Sequence, residues 1–251
     1  MQSAIKAIKS QLKKDVNELV ATGLPAALTR VASLSQSTFP HASPSAATAA
    51  FSNELAAALK SSSNNSGNST VSAAIDTVSD EVNTAIATLQ SLERWIQLST
   101  PQMEDGNNFG VSVQMVVAKE LADIRKELSK ITGGFVDYYE KRAGAFDKIS
   151  NLSIESKSTA SSESESAGGK DGEEKKTSKS VSTDVKMSTR EDIDRLKAVV
   201  AVDVKWYSEL KAAMTELFNT YVIALDVVEK NFLKLSEPKG SSGGRNNDNM
   251  Y

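Results

Sequence analysis

Catalysis needs donors, acceptors and nucleophiles at workable spacing, and this chain supplies few of them. It has no cysteine and a single histidine, His41. Thiolate nucleophiles, disulfide frameworks and Cys-ligated zinc are therefore excluded, and any Ser-His triad would have to be built on His41. That residue sits between Pro40 and Pro44 in a Ser/Ala-rich stretch and is expected to be a solvent-exposed loop residue. A di-metal carboxylate site in a helical bundle wants Glu-x-x-His on facing helices, a spacing that His41 does not have. Glu104-Asp105 offers paired carboxylates for general acid/base work, but adjacent carboxylates at a turn are ordinarily solvated charges at a helix N-terminus. No catalytic residue, metal ligand or cofactor is expected, and the chain reads as a non-enzyme.

The aromatic residues lead to the same place. Trp95, Trp206, Tyr138 and Tyr139 fall at helical spacing among aliphatic residues, which points to core or inter-subunit packing rather than a ligand box. Lys175-Lys176 is flanked by Glu173 and Glu174, too interrupted for a nucleic-acid patch. With a net charge of -3 and a pI near 5.4, the chain has no general attraction to nucleic acid or anionic lipid, and neither is expected as a partner. No apolar run is long enough to span a bilayer and Met1–Lys14 lacks a secretory core. An intracellular protein of the cytoplasm, the nucleus or both is expected, so the glycosylation-type matches at Asn64, Asn68 and Asn151 carry no meaning.

The elements that hold these residues are helical. Hydrophobic residues are 39% of the 251, and aromatics 6%, a lean aromatic content with abundant Ala, Val, Ile and Leu. Four amphipathic segments follow one another. The first has Ile5, Ile8, Leu12, Val16, Leu19 and Val20, then passes Pro25 with a kink and continues through Leu28, Val31 and Leu34. The second runs Val71, Ile75, Val78, Val82, Ile86, Leu89, Leu92, Ile96 and stops near Pro101. A third, from Val113 through Val117, Leu121, Ile124, Leu128, Ile131, Phe135 and Tyr138, crosses a soft spot at Gly133-Gly134. The fourth starts at Ile193 after Glu191-Asp192 and reaches Leu235. At 1.5 Å per residue these helices are roughly 40–60 Å long. The fold expected is all-α: an elongated antiparallel four-helix bundle in a single domain spanning 1–251.

Three polar stretches punctuate it. Residues 36–70 form a Ser/Asn-rich insert in which Ala46–Leu59 could make a short helix. Residues 155–187 mix Ser with Lys and Glu, hold almost no large apolar residue, and are expected to be disordered. Residues 240–251 read as a flexible tail. Antiparallel packing places the connection between helices two and three at the end of the bundle that carries the C-terminal tail, with both inserts at the other end.

At that connection the run Met103-Glu-Asp-Gly-Asn-Asn-Phe-Gly-Val-Ser-Val-Gln114 resembles the activation loop of the 11S, or REG-type, proteasome activators. Support comes from Trp95-Ile96-Gln97-Leu98, Tyr138-Tyr139 before Arg142-Ala143, Asn219-Thr220-Tyr221-Val222, Lys230 to Leu235, Pro238, and Met250-Tyr251. The resemblance covers helices two to four, helix one weakly, and neither insert.

What it implies is a heptameric ring of four-helix subunits, formed by self-association, that docks on the α-subunit ring of the 20S proteasome and opens its gate without ATP. Docking would use the C-terminal residues Asn249, Met250 and Tyr251, whose weak contacts are multiplied around a ring. Opening would use Glu104, Asp105, Gly106, Asn107, Asn108, Phe109 and Gly110, with Asn107 at the family's critical loop asparagine. One departure is Glu237-Pro238-Lys239, where many members have a basic residue before the proline, so charge complementarity at the docking face differs. The rival reading is a plain helical-bundle scaffold or coiled-coil adaptor, which the stripes alone would favour.

Overall fold

A computed structural model describes residues 2–60, 67–102, 108–162 and 190–239. Among the described residues every regular element is a helix: α1 (Gln2–Glu18), a π-helical turn (Leu19–Gly23), α2 (Leu24–Thr38), α3 (Pro44–Lys60), α4 (Ser69–Ser99), α5 (Phe109–Gly133), α6 (Phe135–Ser162) and α7 (Arg190–Ser236). The all-α class expected from composition and periodicity is the one found.

The four stripes map onto these helices with informative departures. The first is α1 and α2 joined through the π-helical turn. Pro25 lacks an N–H and its ring crowds the carbonyl four residues back, and the chain accommodates it by widening: Leu24 N–H donates to Leu19 O, five residues earlier. The second stripe is α4, and there Val71, Ile75, Val78, Val82, Leu89, Leu92 and Ile96 are all buried. The third divides at the glycine pair into α5 and α6, and Gly134 N–H donates to Thr132 O at the break. Its register also differs, because the buried positions are Gly110, Val111, Gln114, Val117, Leu121 and Leu128, while Val113 is half-buried. A glutamine therefore occupies a core position. α6 continues to Ser162, past Glu155, and the rest of the charged insert, like the C-terminal tail, lies outside the described residues.

The chain divides into two compact units. The first draws on Met1–Ala42, Ser69–Phe135 and Tyr207–Tyr251, the second on Ser43–Asn68 and Val136–Trp206. In the first, Val16, Leu24, Val31, Leu89, Leu121, Leu210, Met214 and Val228 are buried, each such side chain contributing about 1.5–3 kcal/mol relative to exposure. Arg30 reaches Glu81 with two bonds, Nε to Oε1 at 2.9 Å and Nη2 to Oε2 at 3.0 Å, tying α2 to α4. In the second unit α3 buries Ala47, Phe51 and Leu55, and α6 meets α7 through Tyr138, Arg142 and Asp203. Tyr138 Oη and Arg142 Nε both donate to Asp203 Oδ1, at 2.9 and 2.8 Å, and the Tyr138 and Trp206 rings pack edge to face 5.9 Å apart.

One expectation needs correction. His41 is not a free loop residue: it is half-buried, its backbone N–H donates to Tyr207 Oη at 2.9 Å, and its ring lies 5.6 Å from the Tyr207 ring. The phenol holds the loop down, which local sequence around Pro40 could not indicate. Trp95 and Trp206, expected in core or inter-subunit packing, are buried in the core. The exposed apolar residues are others, among them Ile5, Ile8, Phe109, Met115, Val116 and Leu233. No helix among the described residues is long and apolar enough to cross a membrane.

Candidate functional site

The last turn of a helix leaves carbonyls without intrahelical partners, and the end of α7 shows where such groups go. Glu237 N–H closes back on Leu233 O at 2.9 Å and the Ser236 hydroxyl donates to Phe232 O at 2.9 Å. The carbonyl of Leu235 is met from another helix: Gln114 Nε2 donates to it at 2.8 Å. Gln114 is wholly buried, and its other amide atom, Oε1, has no donor among the described residues. A buried acceptor left so costs about 1–3 kcal/mol, so among the described residues this amide is only half matched.

One turn before Gln114, Gly110 makes the second contact. A Cβ at Gly110 would collide with Pro238 O and lie 2.6 Å from Pro238 Cα. Only glycine lets the backbone of α5 approach the turn after α7 so closely. Pro238 is itself buried, so α7 ends against the first turn of α5.

That first turn begins at Asn108, with φ -104° and ψ 6°, in the sparsely populated bridge region. Ser112 donates to Asn108 O through both its N–H, at 3.0 Å, and its hydroxyl, at 3.3 Å. Phe109 is 67% exposed, with the Lys234 ammonium 5.8 Å from its ring centre, a cation–π distance. The end of α4 joins through Trp95, stacked on Phe232 of α7 with ring centres 5.7 Å apart. Thr100 closes α4 by donating its N–H and hydroxyl to Ile96 O at 3.0 and 2.8 Å, and Pro101 follows. Further along, Arg125 grips Glu93 with two bonds of 2.7 and 3.2 Å, and that hydrogen-bonded carboxylate raises the Arg125 pKa above its ordinary value. Beside the junction a groove of about 370 Å³, lined by Phe109, Val116, Val227 and Lys230 among others, opens between α5 and α7.

The end of α7 thus meets the adjoining end of α4 and start of α5. Of the residues expected to act, Asn108 is half-buried at the start of α5, Phe109 is exposed and Gly110 is buried against Pro238. Glu104, Asp105, Gly106 and Asn107 lie in the connection from α4 to α5, outside the described residues, as do Asn249, Met250 and Tyr251. Glu237 is exposed. Sequence reasoning missed Gln114, Glu93 and Arg125 as parts of this framework. The available signal for Gln114 was a polar residue in register between Val111 and Val117; none exists for a pair 32 residues apart. Among the described residues no cluster of three or more His, Cys, Asp or Glu could hold a metal ion.

The sequence model described as Proteasome activator PA28, C-terminal, matches residues 64–156 and 174–245. The chain belongs to the PA28 proteasome activator family. Both PA28-matched stretches contribute to the junction, the first Gly110 and Gln114, the second Leu235 and Pro238, whereas Asn249, Met250 and Tyr251 fall beyond the match. Proteasome activator complex subunit 3 of Homo sapiens and that of Mus musculus are each 28% identical to this chain over 168 residues, 67% of its length. The aligned part is 52% of each relative, so the chain spans about half the length of the curated relatives it matches. The structure described as the 11S subunit of the Plasmodium falciparum proteasome, PA28, superposes with a TM-score of 0.57 at 18% identity, covering 95% of this chain and 94% of that one. It shares the PA28 fold.

Proposed function

We propose that this PA28-family chain is the subunit of a ring that docks on the α-subunit ring of the 20S proteasome and opens its gate without ATP, stimulating peptide hydrolysis while catalysing nothing itself. The observation that carries this reading is the junction of α5 with α7. The connection holding Glu104, Asp105, Gly106 and Asn107 enters α5 at Asn108, and the tail leading to Asn249, Met250 and Tyr251 departs after Pro238, which touches Gly110. A loop that contacts the gate and a tail that grips the particle would have to act at one place, and their bases do adjoin.

The division of labour is physical. A tail binding at about millimolar strength supplies only about 4 kcal/mol, and several tails on one ring raise avidity by roughly 10² to 10⁴. Binding alone does not open a gate, because a partner shifts an equilibrium only by touching its two states differently. The loop supplies that second contact: Gly106, Asn107 and Asn108 tolerate unusual backbone angles, and short amides bond a neighbouring turn. Self-association is supported by apolar surface such as Phe109, Met115, Val116 and Leu233, which a monomer leaves in water, and the seven-fold count is what the family resemblance implies.

The deciding experiment is hydrolysis of short fluorogenic peptides by the cognate 20S particle with and without the protein, with ring size measured by native mass. Stimulation by a closed ring supports the reading. No change in hydrolysis despite a folded protein would leave a helical scaffold or adaptor.

A further inference from the structure

We propose that Gln114 is a positioning residue that fixes the start of α5 to the base of the C-terminal tail, so that a docked tail sets where the loop lies. The inference deepens the reading above and rests on it. Gln114 is fully buried in a stripe whose other members are apolar. Its Nε2 holds the Leu235 carbonyl at 2.8 Å, while its Oε1 is buried without a donor among the described residues.

Those two facts pull apart stability and position. A methionine of similar volume would fill the same space and remove the buried Oε1, but would leave the Leu235 carbonyl without its donor, so the exchange trades one acceptor unmet among the described residues for another and the amide gains little for the fold. What the amide does provide is direction. Its single bond fixes the last turn of α7 along one vector, and Gly110 against Pro238 fixes it along another. Together they leave the tail base and the loop base little freedom to shift independently. Without the bond the tail could dock while the loop takes other positions, and the docked state would no longer favour the open gate.

The test uses the full-length ring with the cognate 20S particle and compares wild type with Gln114→Met. The expected result has three parts. The melting temperature stays within about 2–4 °C of wild type. Co-sedimented occupancy is unchanged. Stimulation of peptide hydrolysis per docked ring falls about tenfold, a coupling within the usual range. A purely structural role would instead lower the melting temperature and spare stimulation per docked ring, and either that pattern or failure of the variant to fold overturns the proposal. Hydrogen exchange of the wild-type ring gives a second reading: docking should protect amides of 108–114 and 233–239 together, and protection of 233–239 alone would also overturn it. A wild-type ring that neither docks nor stimulates would fault the proposed function itself.

Discussion

Two polar contacts, one in each unit, tie helices together, and they are built on opposite logic. In the second unit Asp203 is 2% exposed and takes donors from both Tyr138 and Arg142 on one oxygen. The charge is neutralised by a guanidinium, and both bonds are charge-assisted. At the junction of the first unit Gln114 makes one neutral bond and leaves an acceptor unmet among the described residues, beside a glycine pressed on a proline carbonyl. The first arrangement is what a fold needs to hold α6 on α7. The second gains little stability and much geometry, and it stands where the loop and the tail begin. Polar burial that stabilises and polar burial that orients can be told apart by whether every buried group is matched.

The largest effect expected falls on the orienting side. Removing Asn249, Met250 and Tyr251 should abolish stable co-sedimentation with the 20S particle, a loss of roughly 10² to 10⁴ in avidity, and return hydrolysis to its basal rate. Circular dichroism should be unchanged, since the described helices end before that segment. A truncated ring that still docks at full occupancy would move docking to another surface and break the comparison at its functional end.

Next in size, Asn107→Tyr should dock with near-normal occupancy and stimulate hardly at all. A short amide able to bond a neighbouring backbone turn is exchanged for a bulky ring, so the loop loses its preference for the open state while the tails keep theirs for the particle. Loaded in excess, the variant should compete with wild type as an inhibitor. Wild-type stimulation would reduce the loop to a helix connection.

The helices were legible because their burial is local and periodic. The stripe of α4 needed no tertiary information: from Val71 to Ile96 its three-four spacing holds, and burial follows it except at half-buried Ile86. The helix foreseen at Ala46–Leu59 is found as Pro44–Lys60. What stayed hidden depends on residues far apart in the chain. Arg30 and Glu81 are 51 positions apart, Arg142 and Asp203 61, and each alone reads as one more surface charge. Gly110 read as loop glycine by its neighbours, yet its reason is the carbonyl of Pro238. Gln114 was hidden by its type, because periodicity counts apolar residues and passes over an amide in the same register. Ile5 and Ile8 mark the converse: they fit a helical stripe and are exposed.

A substitution on the stabilising side should show the reverse signature from the loop and tail variants. Asp203→Ala leaves the Arg142 guanidinium and the Tyr138 hydroxyl without their shared partner, and loss of one member of a buried pair costs about 3 kcal/mol. Chemical denaturation should report that loss. Stimulation per assembled ring should remain that of wild type at temperatures where the variant is folded, and a selective drop in stimulation would show that the second unit also orients the gate contact.

The smallest effect is a slope against pH, and it isolates one hydroxyl. Burial pushes the Tyr138 phenol well above its ordinary value, and the neighbouring Asp203 carboxylate pushes it further the same way. Below about pH 10 the phenol is protonated in folded and unfolded chains alike, so it adds no pH dependence there. Above that, the unfolded chain releases the proton and the folded chain keeps it, so the unfolded state binds fewer protons and stability falls as pH rises. One such group contributes up to about 1.4 kcal/mol per pH unit. Burial raises Tyr207 and Tyr221 as well, and wild type should lose stability through all three between pH 10 and 11. Tyr138→Phe should cost about 1 kcal/mol at neutral pH for the lost bond to Asp203 and flatten the alkaline slope by one proton's worth, measured by denaturant titration across that range. An unchanged slope would mean the hydroxyl reaches solvent often enough to ionise, and the matched cluster would then be looser than the half-matched amide of Gln114.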